Sequence, residues 1–389
     1  MKEVVIVSAV RSAVGKGKKD GALANVHAVD LSAHMMRAAI DKVGVDPMTI
    51  DDVFWGCAMP EATQGLNVAR LAWLRAGLPV EVPAATVNRF CSSGLQTVAL
   101  AAQEIMSGMA DVALAGGVEM MSQVPMSGYH TRLDPEITES YIGMGFTAER
   151  VAERWKVTRE DQDRWALGSQ QKAARAWSNG AFADQISSVP VERVMWNGAE
   201  KQTSTSDFAR DELPRADTTM EGLAKLRPAF KQNGTVTAGN ASPYSDGAAA
   251  LLLMSAERAK ELGLKPLARF ITFAAAGVEP DVMGVGPIKA VPKALKRAGL
   301  TMKDVKLIEF NEAFAAQVVA VVRDLEMPEE IVNVNGGAIA LGHPLGATGA
   351  KLTTQLVHEL GKRGGGTGLV TMCIGGGMGA AGLFEVFPG

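Results

Sequence analysis

The segment "AATVNRFCSSG" (84–94) has a counterpart late in the chain, "IVNVNGGAIALGHPLGATG" (331–349). Each begins with a short apolar run, reaches a Val-Asn pair, passes through a turn of small residues and leads into a helical pattern. Similar apolar runs flank both segments in the same order, namely "DDVFWGC" (51–57) and "ADVALAGGVE" (110–119), then "VKLIEFNEAF" (305–314) and "GTGLVTMCIGGG" (366–377). This repetition indicates a duplicated α/β unit whose sheets are buried on both faces.

The repeat also predicts the domain organisation. Residues 1–119 and 244–267 form the N-terminal half, and residues 268–389 form the C-terminal half. Residues 120–243 do not join the repeat, so we expect an inserted loop domain there. Within that insertion, residues 158–180 have the start and stop signals of a helix, with Thr158 as the N-cap.

Composition excludes several function classes. The 389 residues carry 39 basic and 42 acidic side chains, a net charge of −3, which gives no electrostatic case for nucleic acid or an anionic membrane. No apolar stretch approaches the length of a membrane span. The motif "GMGAAG" (377–382) matches a dinucleotide fingerprint, but a strand-like segment follows it where a helix is needed.

The three cysteines, Cys57, Cys91 and Cys373, form no CxxC motif, so neither a disulfide framework nor a metal site is expected. Cys91 lies where a predicted strand ends and a helix begins, and a helix N-terminus lowers the pKa of a thiol. Small residues follow it and leave room for a substrate. A packed, buried cysteine is the alternative that position alone leaves open.

Three further residues occupy comparable strand ends. His343 lies in the turn that duplicates the Cys91 turn, and it is a candidate base for that thiol if the two turns face each other. Cys373 ends the last buried run before a glycine cluster, where backbone N–H groups can stabilise an oxyanion. Asn311 ends another run and can hold a water or a carbonyl. Together they suit covalent acyl chemistry in which a carbanion forms.

These residues lie in blocks that resemble the thiolase family. The resemblance covers nearly the whole chain, through "VIVSAVRSAVGK", "VNRFCSSGLQ", "ALAGGVEMMSQVPM", "GNAS…DGAAA", "NEAFAAQ", "NGGAIALGHPLGATGA" and "CIGGGMG". It implies two mixed sheets in a layered α-β-α-β-α core. It also implies an acyltransferase that cleaves 3-ketoacyl-CoA with CoA, or runs the reverse condensation, with ping-pong kinetics.

The resemblance implies a role for each candidate. Cys91 attacks the 3-keto carbon, and Cys373 protonates the acetyl-CoA enolate that leaves. His343 activates the nucleophile and, with Asn311 and a water, holds the thioester oxygen. The backbone N–H groups of Cys91 and Gly375 form a second oxyanion hole.

Coenzyme A is the implied co-substrate, with no permanently bound cofactor or metal. The matching positions for its contacts are Arg215, Phe230, Ala238, Ser242, Met283, Ala313 and Phe314, of which Arg215 meets the adenylate end. Core packing is the alternative for Phe230 and Met283. We also expect a cytoplasmic homodimer or homotetramer, or a complex with a hydratase–dehydrogenase subunit.

Some positions depart from the family pattern. Gly143 stands where short-chain biosynthetic members typically have histidine, which predicts a wider acyl pocket and longer substrates. Pro243 and Tyr244 alter the loop around Ser242, and the opening "RSAVGKGKKDG" differs from the usual form without an evident reason.

Two other classes remain as alternatives. A ketoacyl synthase of the same fold is disfavoured by Cys373 and by the long insertion. A non-catalytic acyl-CoA or lipid-binding relative is disfavoured because all four catalytic positions are filled.

Overall fold

A computed structural model describes residues 1–124, 134–198 and 200–389. Residues 125–133 and 199, which belong to the predicted insertion, lie outside the described residues, and two of them end the block "ALAGGVEMMSQVPM". The strands are β1 (Val4–Arg11), β2 (Gly15–Lys16), β3 (Asp52–Gly56), β4 (Ala85–Val87), β5 (Val112–Met120), β6 (Val189–Asn197), β7 (Glu200–Phe208), β8 (Ser245–Ser255), β9 (Ala268–Gly277), β10 (Val305–Phe310), β11 (Gly366–Ile374) and β12 (Met378–Val386).

The helices alternate with these strands over most of the chain. They are α1 (Ala28–Asp41), α2 (Val68–Arg75), α3 (Ser93–Ser107), α4 (Met144–Arg154), α5 (Arg159–Ser178), α6 (Met220–Ala224), α7 (Ala256–Glu261), α8 (Gly286–Ala298), α9 (Ala315–Asp324), α10 (Ala338–Leu341) and α11 (Leu345–Lys362). None of the described helices is long and apolar enough to cross a membrane.

The strand order shows the duplication. The large sheet runs β10-β11-β12-β9-β1-β8-β5-β3-β4, with β2 beside β8, and β6 and β7 form a separate hairpin. Outward from the β9–β1 junction, each half presents its first, last, third and second long strands in the same order. The predicted duplicated α/β unit is therefore confirmed. The two expected sheets are joined into one, because Val5 and Ile6 pair with Arg269 and Ala268.

The core has five layers, as predicted. In β8, Leu252 belongs to the apolar cluster that contains α1 and α2, whereas Leu251 joins the cluster of α3 and α11. In β11, Val370 joins the same central cluster, and Leu369 packs with α8 and α9. Alternate residues of a strand point to opposite faces, so each half of the sheet lies between an outer and a central helix layer.

Local sequence explains individual elements. Every residue of β8 is buried, which fits its continuous apolar run in a sheet covered on both faces. Helix α5 begins after Thr158, whose side chain accepts from the Asp161 backbone while Asp161 accepts from the Thr158 backbone. Helix α8 begins at Gly286 and contains Pro292.

The elements between β5 and β8 lie outside the large sheet, and β8 returns to it between β1 and β5. Hairpin β6–β7 and helices α4, α5 and α6 belong to this excursion. The domain limits at residues 119, 243 and 267 stay a prediction. The segment "GMGAAG" (377–382) lies mostly within β12, which is a strand and not the start of a helix.

Candidate active site

Cys91 lies in a short 3₁₀ turn, Phe90–Ser92, between β4 and α3. Two hydrogen bonds shape this turn, from the Phe90 backbone N–H to Asn88 Oδ1 (2.8 Å) and from the Arg89 backbone N–H to Ser93 Oγ (2.9 Å). Phe90 has a φ of +44°, which side-chain-bearing residues rarely adopt. The predicted strand-to-helix position of Cys91 is therefore observed, on a turn that is strained at the preceding residue.

The turns of Cys91 and His343 are brought together by the starts of α3 and α11. A Cβ on Gly94 would lie 2.7 Å from the Ala350 backbone nitrogen, and one on Gly349 would lie 2.1 Å from that of Leu95. Only glycine permits this approach of the two helices. The glycines that follow each turn in the sequence therefore bring the two halves of the site into contact.

His343 is buried and has three hydrogen-bond partners. Its Nδ1 lies 2.6 Å from Thr348 Oγ1, its Nε2 lies 3.2 Å from Asn311 Nδ2, and its backbone N–H donates to Ser245 Oγ. The Thr348 hydroxyl hydrogen goes to the Pro344 carbonyl (2.9 Å), so Thr348 accepts from Nδ1–H. This network assigns the tautomer that leaves the Nε2 lone pair facing the amide N–H of Asn311.

Burial, and to a lesser extent the charge of Lys351, lowers the pKa of His343 to about 3. The imidazole is therefore neutral at physiological pH, and its Nε2 is able to accept a proton. Among the residues that the structure describes, no hydrogen bond joins His343 directly to Cys91. Direct proton transfer between the two stays a prediction.

Asn311 directly follows β10 and is fully buried. Its Nδ2 meets His343, whereas its Oδ1 has no hydrogen-bond partner within the described part of the chain. A buried, unpaired acceptor costs free energy unless a ligand or a water satisfies it. The amide thus has the free acceptor needed to hold a water beside the histidine.

Cys373 and Gly375 lie at the end of β11 and in the turn that follows. The backbone N–H of Gly375 acts on the Cys91 thiol, and Cys91 raises the pKa of Cys373. Gly376 and Gly377 have positive φ angles of 76° and 83°, which makes this tight turn possible. The structure therefore gathers Cys91, Cys373 and Gly375 at one point.

The acidities of the thiols differ from the sequence prediction. Burial is the main cause that raises the pKa of Cys91 to about 11, with a contribution from Glu119, while the Gly375 N–H opposes the rise. Burial and then Cys91 raise the pKa of Cys373 far above the ordinary thiol value. The expected low pKa of Cys91 is wrong, because desolvation outweighs the backbone N–H groups that favour its thiolate.

The predicted CoA contacts fall into two neighbouring groups. Arg215 and Ala238 line a pocket of about 310 Å³, and the Arg215 backbone N–H donates to Gln170 Oε1 (2.8 Å). Met283, Ala313 and Phe314 belong to the apolar cluster that contains Cys373.

The remaining two predicted contacts, Phe230 and Ser242, lie against the second group. The Phe230 ring meets that of Phe314 edge-on at 6.1 Å, and the Ser242 backbone N–H donates to the Ala313 carbonyl (2.9 Å). Ser242 precedes Pro243, which lines the Arg215 pocket, so this loop adjoins both groups. Their contacts with CoA stay predictions.

Sequence reasoning missed several side chains at the site. Thr348 and Gln317 lie within quoted blocks but carry no signal of their own, since their roles depend on contacts with distant residues. Met144 and Phe90 also border the site, and a Cβ on Gly375 would approach both within 4 Å. Within the described residues, no group of three or more His, Cys, Asp or Glu side chains is arranged to hold a metal ion.

The arrangement described above suits a transferase that uses a thiol as its nucleophile. Comparison with known proteins agrees, since the family model of the thiolase N-terminal domain matches residues 4–257 and that of the C-terminal domain matches residues 264–386. The chain belongs to the thiolase family. The predictions of this family and of an acyl-transferring enzyme are confirmed.

Relatives of both named activities cover the whole length. The 3-ketoacyl-CoA thiolase of Bacillus subtilis is 54% identical over 99% of this chain and 100% of its own. The acetyl-CoA acetyltransferase of Chromobacterium violaceum is 46% identical over 97% and 98%. The crystal structure of the Bacillus anthracis acetyl-CoA acetyltransferase superposes with a TM-score of 0.90 at 43% identity, covering 100% of this chain and 99% of that one.

Proposed function

We propose that the protein cleaves 3-ketoacyl-CoA with CoA to give acetyl-CoA and a shortened acyl-CoA, and that it also runs the reverse condensation. The observation that carries this proposal is the meeting of two thiols, Cys91 and Cys373, beside the Gly375 backbone N–H. One thiol serves as the nucleophile, and the other exchanges a proton with the carbon acid. CoA is the co-substrate, and no permanently bound cofactor takes part.

The first half-reaction forms an acyl-enzyme. His343 Nε2 takes the Cys91 proton as the sulfur attacks the 3-keto carbon, so both groups stay neutral until substrate arrives. The bond between C2 and C3 breaks, its electron pair goes to C2 as an acetyl-CoA enolate, and the Cys373 thiol protonates C2. The backbone N–H groups of Cys91 and Gly375 stabilise one oxyanion, while His343 and a water on Asn311 stabilise the other.

The second half-reaction restores the enzyme. The Cys373 thiolate takes the proton of an incoming CoA thiol, and the CoA sulfur attacks the acyl group on Cys91. Cys91 leaves as a thiolate and regains its proton from His343. All bonds and protons are then as they were at the start.

The proposal also covers the length of the acyl chain that the enzyme prefers in its substrate. Gly143 precedes α4, and a Cβ there would lie 3.4 Å from the Phe146 ring, which is 48% exposed. A small residue at this position favours 3-ketoacyl chains longer than acetoacetyl. The alternative is a short-chain acetyltransferase that makes acetoacetyl-CoA, an activity that relatives' names also carry.

An assay on two substrates tests both proposals. Loss of the enolate absorbance of acetoacetyl-CoA and of 3-ketodecanoyl-CoA is followed on adding CoA. Cleavage of both by the wild type and of neither by Cys91→Ala supports the proposed reaction and the wide pocket. Cleavage of acetoacetyl-CoA alone favours the short-chain alternative. Turnover of neither, with CoA esters bound, favours the non-catalytic alternative.

Gly143→His sharpens the chain-length proposal. The imidazole would press on Phe146, so we expect the ratio of long-chain to short-chain kcat/KM to fall about tenfold. An unchanged ratio contradicts a role of this position in chain length.

Assembly and location complete the proposal. We propose a cytoplasmic homodimer or homotetramer, or a complex with a hydratase–dehydrogenase subunit. Light scattering of the purified chain distinguishes a homodimer or homotetramer from a monomer that needs a partner subunit.

A further inference from the structure

Gln317 is a buried polar side chain of α9 that the mechanism above does not use. It is fully buried. A Cβ on Gly284 would lie only 2.6 Å from the Gln317 Cβ, so a glycine at 284 leaves the space that the Gln317 side chain occupies. A buried amide must have its donors and acceptor satisfied, which raises the question of what Gln317 contacts.

One orientation of the amide satisfies its backbone neighbours. In it, Nε2 donates to the Asn311 carbonyl (3.1 Å) and Oε1 accepts from the Val318 backbone N–H (3.2 Å). The opposite orientation sets oxygen against oxygen and N–H against N–H. The terminal position that faces Asn311 is also 3.6 Å from Cys373 Sγ. The second hydrogen on Nε2 is therefore available to the sulfur.

We propose that Gln317 is a positioning residue for Cys373, whose side-chain amide donates a hydrogen bond to the Cys373 thiolate while it is anchored on Asn311. This inference rests on the proposed function, in which Cys373 gives its proton to C2 and remains a thiolate until CoA supplies another. During that interval the sulfur carries a negative charge and needs a donor. Gln317 Nε2 is the donor that α9 provides.

Among the other groups near Cys373, its own backbone N–H lowers the pKa of the thiol, but burial outweighs that effect. Cys91 faces it as a titratable group across the site and disfavours a second negative charge. Within the described residues, the His343 ring is hydrogen-bonded to Asn311 and not to Cys373. Apolar side chains, including Met283 and Phe314, pack in the same cluster as Cys373. An amide N–H offsets part of the cost of forming a thiolate in such an environment.

The test is the pH dependence of Cys373 alkylation by iodoacetamide, measured in a Cys91→Ser background by mass spectrometry of the Cys373 peptide. Gln317→Met keeps the shape and removes the donor, so we expect the midpoint to rise by about one pH unit or more. Gln317→Glu keeps the shape, removes the N–H groups and adds charge, so it should raise the midpoint at least as much. A midpoint that stays or falls overturns the proposal, and a fall shows that the thiol donates to the Gln317 carbonyl.

Controls separate this inference from folding and from the proposed function. Gln355→Met replaces a buried glutamine of α11 and should leave the midpoint unchanged, and thermal unfolding checks each variant. If Gln317→Met does not fold, Gln317→Glu alone decides. Acetylation of wild-type Cys91 by acetyl-CoA is followed by intact mass. Its absence defeats the proposed function, while the Cys373 titration still decides on Gln317.

Discussion

The two halves of the molecule carry different side chains at corresponding points of one framework. Cys91 and His343 each lie two residues before the first residue of a central helix, α3 or α11. Strand register gives two further pairs, Glu119 with Cys373 and Cys57 with Asn311. Duplication therefore produced three matched positions, and each pair now differs in chemistry.

The difference shows a division of labour. In the second half, His343 and Asn311 are hydrogen-bonded to each other, and the pKa of Cys373 is raised by Cys91. In the first half, Glu119 accepts from the backbone N–H of Ala58 (2.9 Å) and from that of Gly346 (2.7 Å), at the start of α11. The first half thus holds the second half's helix in place. In the proposed mechanism it also supplies the nucleophile, while the second half supplies acid, base and amide.

The largest effect should separate the two thiols of the first half. Cys91→Ala removes the nucleophile, so we expect kcat for thiolysis to fall by about 10⁴-fold or more. Cys57→Ala is the matched control, because that thiol is fully buried and corresponds to Asn311. It should keep kcat within about twofold. Steady-state kinetics and the intact mass of the acyl-enzyme provide the measurement. Comparable losses of kcat in both variants would contradict a special role of Cys91.

The next largest effect should come from the position that corresponds to Cys91. His343→Ala removes the only base in the proposed acylation step, and we expect kcat to fall by about 10³-fold. Rapid quenching should show that formation of the acyl-enzyme slows. If only deacylation slows, His343 does not activate Cys91, and the absence of a direct hydrogen bond between them gains weight.

The sequence predicts the framework well because the same order of apolar runs and helical patterns occurs twice in it. The apolar run of β8 and the capping signals of α5 depend on local spacing, and both are observed. The position of Cys91 depends on the strand-to-helix turn and is likewise observed. Its pKa was predicted in the wrong direction, because desolvation depends on every atom that surrounds the sulfur.

Residues that act through long-range contacts were beyond sequence reasoning. Thr348 fixes the His343 tautomer, and Glu119 accepts a hydrogen bond from the backbone N–H of Gly346, which lies 227 positions later in the chain. Neither residue type in isolation indicates these partners. The join between the two sheets was also missed, because two short antiparallel pairs leave no pattern in composition or periodicity.

A smaller effect should come from the hydroxyl behind His343. Thr348→Val keeps the shape but removes the acceptor of Nδ1–H, so the ring loses its fixed tautomer. We expect kcat to fall about tenfold with little change in KM, the effect of one hydrogen bond to a group that becomes charged. Thr348→Ser should restore most of the rate. If Ser and Val behave alike, the loss reflects packing and not the hydroxyl.

The smallest effect tests whether Glu119, although structural, still acts on Cys91. Its carboxylate raises the pKa of Cys91, so Glu119→Gln should lower that pKa and speed alkylation of Cys91 by iodoacetamide about fivefold at pH 8. Burial raises the pKa of Glu119 to about 7. Below that pH the wild-type carboxyl gains a proton and loses its charge, so the rate ratio of variant to wild type should approach one at pH 6.

A ratio that is the same at pH 6 and pH 8 would mean that the substitution acts through geometry and not through charge. Glu119→Gln also weakens the hydrogen bonds that hold Gly346, and thermal unfolding of the variant measures that loss separately. A pH-dependent ratio without a large loss of stability would show that the first half tunes its own nucleophile. At the matched position in the second half, Cys373 has its own pKa raised by Cys91, so the corresponding strand positions would then differ in their electrostatic relation to the nucleophile.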